Sequence, residues 1–333
     1  MSSPKFMKAI TRPKYGPPEV LEVLEVPIPA PKKNEILVRV RATTVNRTDC
    51  GILTGKPYII RAFTGLWKPL HSIPGTDFAG EVVSTGCDVS QFSPGQRVWG
   101  FYDNGMASQA EYMVVAQEAP IAPIPDGIGF EEAAASGEGA HYAINFIKYL
   151  KKKEGMQVLV HGGTGAIGSA AIQLLNYYGA RVDAVCDGEH LQKVKALGAI
   201  EVIDYLKEDF CQRGKKYDFV MDAVGKSSFG KCKAVLRAGG VYMSSELGPG
   251  AENLYLPFTS RFGKWRHVFP IPTDCKSSVK LITKLLGEGV FRPLMDRHYA
   301  MEQVKDAYRY VASGQKTGNV TILYGQGMEA CKC

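Results

Sequence analysis

Gly163, Gly165 and Gly168 stand at Gly-x-Gly-x-x-Gly spacing inside the run Val158-Leu-Val-His-Gly-Gly-Thr-Gly-Ala-Ile-Gly-Ser169. The residues before them are apolar and read as a strand; Ala170-Ala-Ile-Gln-Leu-Leu175 after them reads as a helix. Glycine at these positions lets the backbone turn tightly, approach a phosphate with no Cβ in the way, and seat the helix against the strand. The helix start then offers unpaired N–H groups and a positive dipole end to a pyrophosphate. A glycine-rich turn alone is weak evidence. Set between a strand and a helix, with a further strand opening at Arg181, it points to a dinucleotide cradle made by Gly163, Thr164, Gly165, Ala166, Ile167 and Gly168.

The end of the second strand bears on which dinucleotide is held. An acidic side chain about 20 residues past the glycines grips a ribose 2′-hydroxyl and repels a 2′-phosphate. Here that position is Cys186, which favours NADP(H). Asp187 follows directly and keeps NAD(H) open as the second reading, while Asp183 points to the opposite face by strand alternation. His190 and Tyr205 are candidate partners for a 2′-phosphate, with a solvated turn or a packing role as the plainer alternative for each.

These residues need elements to hold them. Apolar runs at Gln157–Val160, Arg181–Val185, Phe219–Asp222 and Gly240–Met243, spaced by helix-length segments, predict an α/β domain with a doubly wound parallel sheet over residues 127–288. Residues 1–126 carry short strands instead (Glu35–Arg41, Phe78–Val83, Arg97–Phe101, Ala110–Val115) with Gly and Pro punctuation, the spacing of a compact β-barrel-like domain. Residues 289–333, with the strand-like Asn319-Val-Thr-Ile-Leu323, are expected to complete it. Two domains suit a chain of 333 residues.

Composition narrows the function. Apolar residues at 45% and charged residues at 22% belong to a globular enzyme rather than a disordered chain. The net charge of +7 is scattered, and its densest run, Lys151–Lys153, falls in a predicted loop, so no nucleic-acid partner is expected. The eight cysteines make no Cys-x-x-Cys pair, which argues for free thiols in a reducing compartment; Cys331 and Cys333 read as a tail without function. The start lacks an apolar signal core and no run of about 18 apolar residues occurs, so a cytoplasmic protein with no membrane partner is expected.

Further motifs follow in order: Val45-Asn46-Arg-Thr-Asp49, Pro74-Gly-Thr-Asp-Phe-Ala-Gly-Glu-Val82, Pro94-Gly-Gln-Arg-Val-Trp-Gly100, Glu131-Glu-Ala-Ala-Ala135, Lys195-Ala-Leu-Gly-Ala199 and Val202-Ile-Asp-Tyr205. With the glycine loop they make the chain resemble the medium-chain dehydrogenase/reductase superfamily, in the quinone oxidoreductase-like branch that includes zeta-crystallin. The resemblance implies a GroES-like β-barrel domain beside a Rossmann sheet. It implies NADP(H)-dependent reduction of a small electrophilic acceptor, a quinone or reactive carbonyl, and a homodimer paired through the edge at His267-Val-Phe-Pro-Ile271. An enone or alkenal reductase is the near alternative, and an NADPH-binding structural or regulatory protein with little turnover is the alternative of another class.

The same resemblance places Asn46 beside the nicotinamide and the substrate carbonyl, as a donor to developing negative charge, with a turn cap as the alternative. Asp49 would orient it or pair with a neighbouring cation, with a surface or helix-capping role as the equal alternative. Tyr58 and Tyr102 are candidate proton donors, packing being the plainer role; Ala223, Val224, Gly225, Ser244 and Asn319 would line the nicotinamide side. In zinc-dependent members the metal ligands fall at stretches matching Asn46, Thr76 and Asp77 here, and an amide, a hydroxyl and one carboxylate do not make such a site, so no zinc is expected. Ser136-Gly-Glu-Gly-Ala-His-Tyr142 departs from the branch, which carries a Pro and then a Thr facing the nicotinamide. Glu138 and His141 read either as an acid/base pair or as a helix-start cap, and Tyr142 offers the hydroxyl that Thr would have supplied.

Overall fold

A computed structural model describes residues 5–150 and 154–325; Lys151–Lys153, Cys331 and Cys333 lie outside the described residues. The chain divides into two compact units, one of residues 1–138, 275–287 and 295–333, the other of 139–274 and 288–294.

The first unit opens with an antiparallel hairpin, β1 (Phe6–Thr11) and β2 (Glu22–Pro27). Five strands follow: β3 (Glu35–Val45), β4 (Asp77–Thr85), β5 (Arg97–Phe101), β6 (Tyr112–Ala116) and β7 (Ile121–Pro123). Along β3 the side chains of Val38, Val40 and Ala42 are buried while Arg39 is exposed, the period-2 pattern of a sheet with one face on a core. Helices α1 (Arg47–Thr54), α2 (Arg61–Thr64) and α3 (Phe130–Ala134) connect and cover these strands, and α4 (Glu138–Ile147) begins at the unit's edge in sequence.

The second unit alternates strand and helix: β8 (Gln157–His161), α5 (Ala166–Tyr177), β9 (Arg181–Cys186), α6 (Leu191–Ala196), β10 (Glu201–Asp204), β11 (Tyr217–Asp222), α7 (Phe229–Cys232), β12 (Leu236–Ser244), α8 (Glu252–Thr259) and β13 (Arg266–Val268). All six strands are parallel, in the order β10-β9-β8-β11-β12-β13. Leu159, Val185, Ile203 and Val220 are buried in its core, as a sheet covered on both faces requires. The order reverses between β8 and β11, the switch point at which such sheets bind ligands. This is the doubly wound sheet expected from the apolar runs.

The chain then returns to the first unit with α9 (Cys275–Gly287), β14 (Met295–Ala300), α10 (Val304–Ala312) and β15 (Asn319–Leu323). β15 lies between β14, to which it is parallel, and β3, to which it is antiparallel, in a seven-stranded sheet. Val304, Tyr308 and Val311 of α10 share one core with Val40, Val45, Phe78 and Ile322. The unit boundary differs from the expected Asp126/Gly127 and 288/289 divisions. Helix α3 packs on β3 and β4, and the Arg97 guanidinium lies 4.7 Å over the Phe130 ring. Helix α9 packs on β5 and β7, with the Trp99 indole N–H donating to Thr283 Oγ1 at 3.1 Å. Both helices carry the texture of the nucleotide domain in sequence and are claimed by the β-rich unit through packing. Among the described residues no helix is long and apolar enough to cross a membrane.

Candidate active site

In the second unit, α5 begins at Ala166 with Gly165 as its N-cap, a residue with no side chain to accept from the first N–H groups. A Gly165 Cβ would meet only the Gly162 carbonyl oxygen, at the ordinary contact distance of 3.5 Å, so the helix start is not filled by the protein's own side chains. At Gly168 a Cβ would be 2.1 Å from the Gly162 carbonyl oxygen, an overlap that only glycine avoids where helix and loop touch. Gly162 itself has φ +87°, and its Cβ would strike Val224 at 2.4 Å, so the glycine loop and the loop after β11 pack together. An open helix N-terminus walled by close-packed glycines fits a pyrophosphate.

Cys186, Asp187, His190 and Tyr205 come together at the end of β9 and β10. Asp187 Oδ1 accepts from the His190 backbone N–H at 3.2 Å and lies 2.5 Å from the His190 ring Nδ1. Burial pushes the Asp187 carboxyl up, but His190 and the local N–H groups outweigh it and hold it below the usual range. Cys186 is buried and its thiol is pushed up to about 12. Tyr205 is exposed, and its backbone N–H donates to the Cys186 carbonyl. Asp183 is committed elsewhere, accepting from Tyr217 Oη at 2.9 Å and pairing with Lys215 Nζ at 2.7 Å.

Asp222, the last residue of β11, organises the neighbouring loop. Its carboxylate accepts from the N–H groups of Gly225 at 2.9 Å and Ser227 at 2.8 Å and from Tyr242 Oη at 3.1 Å, with His161 Nδ1 at 3.2 Å. Ala223, Val224 and Gly225 are thereby held beside Gly162, and Ser244 stands next to Asp222 in the ladder. Burial works against the ionised form, but His161 and the loop N–H groups more than offset it and keep the pKa low. In sequence Asp222 stands only as the end of the apolar run Phe219–Asp222; an acidic residue closing an apolar strand was the available signal for its organising role.

In the first unit Asn46 caps α1. Its Oδ1 accepts from the Asp49 N–H at 2.8 Å, and Asp49 Oδ2 accepts from the Asn46 N–H at 3.1 Å, a capping box with Asp in the acidic position. The Asn46 amide Nδ2 donates to Thr76 Oγ1 at 2.7 Å and to Asp77 Oδ2 at 2.9 Å. Both amide hydrogens are thus used inside the protein, while the side-chain oxygen caps the helix. Asp77 also accepts from Thr44 Oγ1 at 2.7 Å and, through Oδ1, from the Glu138 N–H at 3.0 Å, while Glu138 Oε1 accepts from the Thr48 N–H at 3.2 Å.

Three buried carboxyl groups share this corner. Burial, aided by the Glu138 charge and opposed by the Thr44 and Thr76 hydroxyls, raises Asp77 to about 7. Burial and the Asp77 charge push Asp49 well above its ordinary value. Glu138 is raised by burial against the pull of Lys316. Thr44, Thr76, Asp77 and Thr48 escaped the sequence reading as parts of one network, since residues so far apart in the chain carry no local signal of contact.

The remaining candidates are dispersed. Tyr58 is 68% exposed with the Arg61 guanidinium over its ring, and Tyr102 is exposed beside Asn104. Tyr142 is half-buried on α4, edge-on to the His141 ring, and buried His141 has the Asn145 amide donating to its carbonyl at 2.9 Å. Asn319 is buried at the start of β15. Glu138 therefore serves the start of α1 and the Asp77 carboxylate. The Asn46, Thr76 and Asp77 side chains bond to one another and present no thiolate or imidazole, a donor set that does not fit zinc.

Comparison with known proteins agrees with both units. A model described as an alcohol dehydrogenase GroES-like domain matches residues 32–126, and one described as a zinc-binding dehydrogenase matches residues 197–322. The chain is 31% identical over 334 residues to the 2-methylene-furan-3-one reductase of Solanum lycopersicum, covering 97% of this chain and 80% of that one. It is 29% identical over 333 residues to the chloroplastic NADPH-dependent alkenal/one oxidoreductase of Arabidopsis thaliana, covering 96% and 80%. The solved quinone oxidoreductase of Coxiella burnetii superimposes with a TM-score of 0.82 at 26% identity, covering 96% of this chain and 100% of that one.

Proposed function

This chain belongs to the medium-chain dehydrogenase/reductase superfamily, in its quinone oxidoreductase-like branch, and we propose that it uses NADPH, without zinc, to reduce quinones and α,β-unsaturated carbonyls. The observation that carries the reading is the mutual bonding of Asn46, Thr76 and Asp77, at the positions to which the family resemblance assigns the metal ligands of zinc-dependent members. Lacking a Lewis acid to activate an alcohol, the easier chemistry is reduction of an acceptor already electrophilic. A bound nicotinamide would supply the hydride. The glycine cradle and the Asp222-braced loop hold and orient it, and the capping box keeps Asn46 and Asp49 in place at the start of α1. Half-buried Tyr142 and exposed Tyr58 are the candidates for proton delivery, and solvent suffices for a hydroquinone.

NADPH is favoured over NADH because Asp187 is engaged by His190 rather than presented alone to a ribose hydroxyl. The reading extends to a cytoplasmic homodimer paired through β13, the edge of the parallel sheet, and a monomer by native mass measurement at micromolar concentration would overturn that pairing. The test of the activity is binding of NADPH and NADH to metal-analysed protein, followed by stopped-flow oxidation with 1,4-benzoquinone and with an alkenal. Tight NADPH binding and rapid oxidation by either acceptor in zinc-free protein is expected. Binding with no oxidation would leave an NADPH-binding protein without turnover.

A further inference from the structure

Arg12 is a buried cation without a counter-ion. Its residue is 4% exposed, its backbone N–H donates to the Ser72 carbonyl at 2.8 Å, and one guanidinium nitrogen donates to the Ile52 carbonyl at 2.6 Å. Its Nε has no hydrogen-bond partner, and no carboxylate among the described residues pairs with it. Burial lowers its pKa, and Asp49, the carboxyl whose charge acts on it, is itself pushed toward the neutral form. A guanidinium does not lose its proton in a protein, so Arg12 is a buried charge that forms no ion pair among the described residues. Leaving a buried charge unpaired is costly enough that it normally marks a missing partner.

The partner has a place to sit. Arg12 lines a cavity of about 160 Å³ in the first unit, together with His71 and Asn104 and the apolar walls of Ile52, Phe63 and Pro74. Gly75, also in the wall, directly precedes Thr76, the residue that accepts from Asn46. The cavity thus joins one buried cation, polar side chains and an apolar lining next to the polar cluster of the candidate site.

We propose that this cavity is an anion subsite in which Arg12 receives a carboxylate, so that the preferred acceptors are enones carrying a carboxylate on an apolar frame. Two parallel N–H···O contacts from a guanidinium fork match a carboxylate in geometry as well as charge. The proposal rests on the reductase reading for its substrate class; the subsite itself does not.

Steady-state rates with NADPH would compare 4-oxo-4-phenylbut-2-enoate with its methyl ester. The carboxylate is the less electrophilic of the two in solution, so a preference for it reports the protein. The acid should be favoured about tenfold or more in kcat/KM, mainly through KM, the size expected of a charge-assisted contact. Arg12→Gln should collapse the acid-over-ester ratio toward one, and Arg12→Lys should keep part of it. His71→Gln, at an exposed side chain, should lower the ratio severalfold even if the Arg12 variants do not fold. A wild-type preference for the ester, or a ratio unmoved by these substitutions, overturns the proposal. If neither compound is reduced while 1,4-benzoquinone is, the enone part of the substrate reading fails and the quinone part stands, and calorimetry with the saturated 4-oxo-4-phenylbutanoate tests the subsite alone. Binding weakened by His71→Gln or Arg12→Gln upholds it, and no binding at millimolar concentration overturns it.

Discussion

Asn46 Nδ2 lies 2.9 Å from Asp77 Oδ2, joining the cap of α1 to the first residue of β4. Asn46→Asp would set a second carboxylate against Asp77 in a buried corner. It should lower the melting temperature and reduce turnover by at least about tenfold, since like charges at this range oppose each other strongly. Asn46→Ala, which removes the cap without adding charge, should cost about 1–2 kcal/mol in denaturant unfolding. Aspartate keeps an oxygen that caps α1, so an Asn46→Asp protein as stable and active as the wild type would mean that the cap, and not the contact with Asp77, matters.

The buried carboxyls give stability a definite pH dependence. Asp77 releases its proton near 7 when folded, against 3.8 for the free side chain. Between about pH 4 and pH 7 the unfolded chain therefore binds fewer protons than the folded one, and stability falls as pH rises, by up to about 1.4 kcal/mol per unit for one such group. The contribution is fully present below the lower value and its loss is complete above the upper one. Asp49 and Glu138 are shifted in the same direction and add with the same sign. Urea midpoints across this window should decline, and Asp77→Asn should flatten the decline; an unchanged slope in the variant would remove Asp77 as its source.

Two glycine substitutions should separate folding from binding. Gly168→Ala forces a Cβ to 2.1 Å from the Gly162 oxygen and should destabilise the second unit by roughly 2 kcal/mol or more, as overpacking against backbone does. Gly165→Ala meets only the Gly162 carbonyl oxygen, at 3.5 Å, and has an ordinary backbone conformation, so the protein should fold normally. If the cofactor's phosphates sit at this helix start, the methyl group would take their space, and NADPH affinity should drop at least about tenfold, measured by fluorescence titration. Full affinity in the Gly165→Ala protein would argue against the cradle.

Asp187 offers a test of cofactor choice. If its carboxylate serves His190, Asp187→Ser should leave NADH affinity within about threefold and not weaken NADPH. Loss of a charged hydrogen bond to a ribose hydroxyl would instead cost NADH roughly tenfold. Titration of both cofactors against both proteins decides which.

The parallel sheet and the glycine turn between β8 and α5 were legible because they are local: an apolar run, a turn and a helix lie within some 20 residues. The polar corner was not. Asn46 and Asp77 are separated by 31 positions, and Asp77 and Glu138 by 61, so nothing in their own neighbourhoods announces that they meet. Arg12 was invisible for a related reason: an arginine after a short strand reads as surface until burial shows otherwise. The domain boundary shifted because α3 and α9 have helical texture, and only the sheet each one covers reveals its owner.

The position of β15 has a consequence for biosynthesis. Residues 319–323 form an interior strand, flanked by β14 and by β3, whose own residues begin at 35. All six strands of the parallel sheet lie between residues 157 and 268 and leave the ribosome before it. The part of the chain made first must therefore wait, with its sheet ending at β3, while the part made second already holds every strand it needs. Translation order and completion order run in opposite directions, and the nascent β-rich segment depends for that interval on whatever shelters the open flank of β3.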